Sequence, residues 1–137
     1  MRVFLTGATG FIGSAIIPEL KAAGHEVIGL ARKDDNAARL EAMGVGVHRG
    51  SLGDPDTLAA GAAASDATIH CAFIHDFSQY AENIATDRRA GEAMLQALEG
   101  SGKPFLLTSG TLMVTADREV TEADPAAPEG RGAAEHL

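Results

Sequence analysis

Short apolar runs alternate with helical stretches along the chain, and a glycine-rich turn joins the first run to the first helix. Together these predict an α/β fold, a doubly wound parallel sheet of about five strands with right-handed crossovers. Composition agrees. Of 137 residues, 45% are apolar but only 4% aromatic, with no Trp, so small aliphatic side chains must fill the interior, as suits helices packed on a parallel sheet.

The elements follow in order. Arg2-Val3-Phe4-Leu5-Thr6 is a short apolar run that stops at Gly7 and reads as a strand buried on both faces. A helix through Ile16, Ile17 and Leu20 should end at Gly24, a residue suited to a left-handed terminus, with a kink at Pro18. Residues 26–31 form the second strand. Residues 36–43 read as a helix with Asn36 as N-cap, and residues 45–48 as a third strand. Asp54-Pro55 opens another helix, because proline is favoured in a first turn. Residues 67–72 give a fourth strand, residues 78–98 a long helix burying Tyr80, Ile84, Met94 and Leu98, and residues 104–109 a fifth strand. From Ala116 the pattern dissolves into Glu, Asp, Pro and Gly. The expected organisation is therefore a nucleotide-binding domain over residues 1–115 and an acidic Pro/Gly/Ala-rich loop or tail over residues 116–137, the start of a second, substrate-binding half that the chain lacks.

Charge and cysteine content exclude several classes. The net charge of -8, with 11 basic residues adjoining only at Arg32-Lys33 and Arg88-Arg89, argues against nucleic acid. A single cysteine, Cys71, forbids an internal disulfide and fits a reducing compartment. No apolar run approaches the ~20 residues that span a bilayer, and no leader pattern opens the chain, so a cytoplasmic protein is expected. His70, Cys71, His75 and Asp76 lie close in sequence, but strand alternation sends His70 and Cys71 to opposite faces, and no metal site is expected.

The turn Gly7-Ala8-Thr9-Gly10-Phe11-Ile12-Gly13 has the spacing G-x-x-G-x-x-G. Between a first strand and a first helix, such glycines let backbone approach a pyrophosphate while the helix start supplies N–H groups and positive dipole. The segment from Val3 to Gly13, together with Gly24-His25-Glu26-Val27, Ile69-His70-Cys71-Ala72 and Leu107-Thr108-Ser109, resembles the extended and atypical short-chain dehydrogenase/reductase superfamily, in its NAD(P)-dependent epimerase/dehydratase branch. The likeness runs over essentially the whole chain but only the first half of a usual member. It implies a Rossmann-type domain and hydride transfer with a nicotinamide dinucleotide.

Carried onto this sequence, the resemblance implies cofactor contacts from Gly7, Thr9, Gly10, Phe11, Ile12 and Gly13. Arg32 and Lys33 end the second strand, where two cations suit a 2′-phosphate, so NADP is expected ahead of NAD; a solvated charged turn is the bland alternative. Ser51 and Leu52 fall where the family usually has an Asp-hydrophobe pair beside the adenine, and Ala72 and Phe73 where backbone passes the cofactor. Asn83 matches the long helix's usual Asn, with a solvent-facing role equally open.

The catalytic pattern departs from the family's. Members use Tyr-x-x-x-Lys, with a Ser or Thr at the end of the fifth strand. Here the one tyrosine, Tyr80, has Ile84 at the lysine spacing and reads as a buried aromatic, while Arg131 and Glu135 fall where the pair is usual. Gly110 takes the usual serine position, leaving Ser109 or Thr111 as the catalytic hydroxyl; His75 or Asp76 could face the nicotinamide as an acid. Three readings stand: an oxidoreductase with an atypical catalytic set acting on a small carbonyl or sugar-nucleotide-like substrate, a module that senses NADP without turnover, and a truncated product that binds cofactor only. Members of the superfamily often pair through their long helices, which leaves a homodimer open; Arg88, Arg89 and Glu92 make that face polar here.

Overall fold

The computed structural model describes residues 1–110 and 118–124. Five strands, β1 (Arg2–Thr6), β2 (Glu26–Ala31), β3 (Gly46–Arg49), β4 (Ala67–His70) and β5 (Phe105–Leu107), form one all-parallel sheet in the order β3-β2-β1-β4-β5. Four helices connect them: α1 (Phe11–Ala22), α2 (Asp34–Ala42), α3 (Pro55–Ala63) and α4 (Tyr80–Leu98), the last preceded by a 3-10 turn over Phe77–Gln79. The order is that of a Rossmann-type sheet, with its direction of winding reversed between β1 and β4.

Winding in both directions buries both faces of the central strands, and β1 is apolar on both. Leu5 points to one side, into a core with Ile17 of α1, Val27 and Ala31 of β2, and Leu40 of α2. Phe4 points to the other, into a core with Leu58 and Ala62 of α3 and Ala90, Met94 and Leu98 of α4. Adjacent residues of one strand thus anchor two separate helical layers. On the second face, the ring of Phe4 lies where a Cβ on Gly61 would stand, 2.6 Å from its nearest carbon, so α3 sits on the sheet only because Gly61 has no side chain.

Most elements fall where the sequence places them, and the differences have local causes. Helix α2 begins at Asp34 with Lys33 as its cap, not at Asn36, because Asp34 and Asp35 both favour the positive end of a helix. Strand β3 starts one residue late: the amide of Val45 still bonds Leu40 O, at 2.9 Å, closing α2. The apolar runs of β4 and β5 continue past the ladder, which ends at His70 and Leu107. Pro18 lies inside α1 on the exposed side, and the helix continues past it to Ala22. Helix α3 opens at Asp54-Pro55 as expected, and Asp54 caps it, its carboxylate accepting from Thr57 N at 3.4 Å. Tyr80 is not buried: it opens α4 and is 43% exposed, whereas Met94 and Leu98 lie in the core. Residues 118–124 are a largely exposed turn tied by an Arg118–Asp124 ion pair.

Two substitutions probe the second face. Gly61→Ala drives a methyl into the Phe4 ring and should lower stability by about 1–3 kcal/mol in urea unfolding. Thr68→Val should be neutral or raise stability by about 1 kcal/mol, since the Thr68 hydroxyl is buried with no hydrogen-bond partner among the described residues.

Candidate functional site

The site begins where β1 ends. Gly7 turns with φ +68°, and a Cβ there would stand 2.7 Å from Ala72 N and from Cys71 C, so the turn presses directly on the backbone leaving β4. Gly10 N donates to Gly7 O at 2.9 Å, and Ser14 N donates to Gly10 O at 3.0 Å, which starts α1 within the turn. Gly13 allows that tight start: a Cβ on it would lie 2.2 Å from Gly7 O. The cap residue is Gly10 in an extended conformation, and no side chain caps the helix. The first amides of α1 therefore point out of the turn without an intrahelical partner.

The side chains of Phe11 and Ile12 project into solvent, Phe11 at 96% exposure, so what these residues offer at the turn is backbone. Thr9 is half-buried, and its carbonyl accepts from Arg39 of α2 at 3.4 Å. Arg32 and Lys33 are exposed where β2 ends. Arg49, at the end of β3, donates to Lys33 O at 3.2 Å and pairs with Asp34, and Arg32 and Lys33 are outside that pair. Ser51 and Leu52 are half-buried after β3; Leu52 packs against the Phe4 core.

On the other side of the turn, Ala72 and Phe73 follow β4. Ala72 N donates to Thr6 Oγ1 at 3.2 Å, and the Phe73 ring meets His75 and Tyr80 edge-on at centroid distances of 5.4 and 6.5 Å. Asn83 is buried, and its Nδ2 donates to Asp76 O at 2.6 Å, so it pins the β4–α4 connection and does not face solvent. Asp76 is unsuited to the role of acid. The hydroxyl and amide of Ser78 both donate to its Oδ1, at 2.6 and 3.1 Å, and hold its carboxyl below the usual range. Ser109 is exposed beyond β5, next to Thr108, whose hydroxyl lies 3.2 Å from Cys71 Sγ. Thr111, Arg131 and Glu135 lie outside the described residues. His70 and Cys71 do face opposite sides, and no metal-holding cluster occurs among the described residues.

A family model described as the NAD dependent epimerase/dehydratase family matches residues 3–131. The chain belongs to this family. An uncharacterized protein of Saccharomyces cerevisiae is 47% identical over 126 residues, which are 90% of this chain and 42% of the relative. The chain thus spans about two-fifths of the length of this relative and of a second uncharacterized one from Schizosaccharomyces pombe, 48% identical over 117 residues. Among solved structures, a short-chain dehydrogenase/reductase superfamily protein from Agrobacterium tumefaciens with bound NAD superposes with TM-score 0.76 at 20% identity, over 99% of this chain and 42% of that one. Yeast methylglyoxal/isovaleraldehyde reductase complexed with NADPH gives TM-score 0.68 at 21% identity, over 84% of this chain and 39% of its own. These two likenesses concern the fold.

Several residues of this epimerase/dehydratase-family site escape a reading along the sequence. Arg39 and Arg49 reach the turn and the end of β2 from other elements. Thr6, His70 and Asp87 form a buried chain beneath the turn, with Thr6 Oγ1 2.6 Å from His70 Nδ1 and His70 Nε2 3.1 Å from Asp87 Oδ1. A signal existed for Asp87: it stands four residues after Asn83 on the inward stripe of α4, and a carboxylate there requires a partner.

The turn's geometry sets its tolerance. Gly13→Ala should cost at least about 2 kcal/mol in thermal or urea unfolding, because its Cβ would meet backbone on the facing turn, whereas Gly10→Ala, with its nearest contact at 3.1 Å, should cost less.

Proposed function

We propose that this chain is the cofactor-holding part of an NAD(P)-dependent oxidoreductase, with NADP preferred to NAD. The observation that carries the reading is the position of the glycine turn: it sits at the carboxyl ends of β1 and β4, where the winding reverses, with the uncapped start of α1 facing outward. Open α/β sheets bind their ligands at this place, and an uncapped helix start attracts a diphosphate. That two proteins of the same fold were solved with NAD and NADPH supports a nicotinamide dinucleotide.

In this reading the amides of Phe11, Ile12 and Gly13 hold the diphosphate, Gly7, Thr9 and Gly10 shape the turn, with Gly10 N bonded to Gly7 O, and Ser51 and Leu52 line the adenine. Arg32 and Lys33 grip the 2′-phosphate, a bond Arg makes bidentately. Ala72 and Phe73 present backbone along the cofactor, and the hydroxyls of Ser109 and Thr111 meet the oxygen of a small carbonyl or sugar-nucleotide-like substrate. The cofactor's own contribution is a hydride; the chain's residues bind and orient it. Residues 1–115 form this binding domain, and residues 116–137 lead toward a substrate-binding half.

A second reading, a module that senses NADP without turnover, rests on one observation: Tyr80 is the single tyrosine and no Tyr-x-x-x-Lys occurs in the sequence.

Calorimetry of the folded chain should show NADPH binding more tightly than NADH. Arg32→Ala should weaken NADPH roughly tenfold and leave NADH unchanged, the loss expected for one charge-assisted contact. Heat from neither cofactor would overturn the assignment. NADPH oxidation with a panel of aldehydes, ketones and nucleotide sugars supports the enzyme; tight binding with no turnover supports the sensor.

A further inference from the structure

The buried chain Thr6–His70–Asp87 has a hydrogen-bond pattern with one self-consistent solution. Thr6 Oγ1 lies 3.2 Å from the amides of both Cys71 and Ala72, and amides can only donate. Those two bonds occupy both lone pairs of the hydroxyl, so its single proton must point elsewhere. The remaining neighbour is His70 Nδ1, at 2.6 Å, which has to be the bare nitrogen of a neutral ring. The ring proton then sits on Nε2 and donates to Asp87 Oδ1 at 3.1 Å. The ring is 1% exposed and the Asp87 side chain 11%, so water does not substitute for these partners. The two amides are not equivalent. Cys71 N is shared with Thr6 O at 3.3 Å, whereas Ala72 N has Thr6 Oγ1 alone among the described residues.

We infer that Asp87 is a positioning residue that acts through His70 and Thr6 to fix the Ala72 backbone against Gly7. By accepting the Nε2 proton, Asp87 selects the tautomer whose bare Nδ1 draws the Thr6 hydroxyl proton, and this aims the hydroxyl oxygen at the Ala72 amide. With Asp87 removed, the ring is released to carry its proton on Nδ1 and donate to Thr6 Oγ1, which then loses an acceptor site for Ala72. The two sides of the turn are packed without slack, since a Cβ on Gly7 would touch Ala72 N. A carboxylate on α4 thereby governs backbone geometry at the sheet's reversal point from the far side of β4. This rests on the proposed cofactor site in one respect: the backbone being fixed is the one assigned to run along the dinucleotide.

The test uses the full chain and the variants Asp87→Leu, which removes the acceptor but keeps an apolar fit, Asp87→Asn, which keeps an acceptor oxygen, and the isosteric Thr6→Val. Long-range nitrogen–proton NMR at neutral pH should show His70 neutral and protonated on Nε2 in the unaltered chain and in Asp87→Asn, with the population shifted toward Nδ1–H in Asp87→Leu. Amide exchange at Ala72 should accelerate about tenfold in Asp87→Leu and Thr6→Val, with β2 amides unchanged, and return toward normal in Asp87→Asn. NADPH affinity should fall about tenfold in the same two variants and recover in Asp87→Asn. A His70 protonated on Nδ1 in the unaltered chain, or an Ala72 amide indifferent to Asp87→Leu, overturns the inference. Absence of NADPH and NADH binding by the unaltered chain overturns the cofactor assignment instead, and the tautomer and exchange results then still decide whether Asp87 sets the Ala72 backbone.

Discussion

The close approach of the backbone leaving β1 to the backbone leaving β4 governs this molecule. At Gly7 no side chain fits between them, and Thr6, one residue earlier, binds across the gap with both its carbonyl and its hydroxyl. That contact brings together the start of α1, the glycine turn and the segment entering α4.

The contact is held by packing on both sides of the sheet. Leu5 fastens β1 to α1 and α2, and Phe4 fastens it to α3 and α4, so neither helical layer can shift without moving the strand that carries Thr6 and Gly7. Glycine recurs where clearance is smallest. Gly13 lets α1 start against the turn, and Gly61 lets α3 rest on Phe4. Small residues supply proximity, and a few large aliphatic side chains supply the apolar burial that makes proximity favourable.

Electrostatics at the site is local. The chain carries a net charge of -8, yet cations from three different elements gather around the ends of β1 and β2: Arg32 and Lys33 after β2, Arg39 on α2 and Arg49 on β3. Asp34, at the start of α2, is paired with Arg49. Helix dipoles and exposed amides add fixed positive potential there, which is how an acidic protein can meet the anionic cofactor proposed for this edge. The buried Thr6–His70–Asp87 chain belongs to the same corner in another way, since it shapes the backbone and contributes no surface charge.

The sequence by itself determined the alternation of strands and helices, the glycine turn, the helix end at Gly24, the helix start at Asp54-Pro55, and the cationic end of β2. All of these are encoded within a few consecutive residues, where spacing and residue type dictate conformation directly. It reached Ser51, Leu52, Ala72 and Phe73 only through resemblance. Tertiary structure decided the rest. Tyr80 is left exposed at the start of α4, and Asn83 turns inward to hold Asp76 O. Arg39, Arg49 and Asp87 became legible only when distant elements met, since a hydrogen bond between residues 16 to 64 positions apart leaves no periodic trace in the chain. Local pattern specifies an element; a shared proton between two elements exists only after they pack.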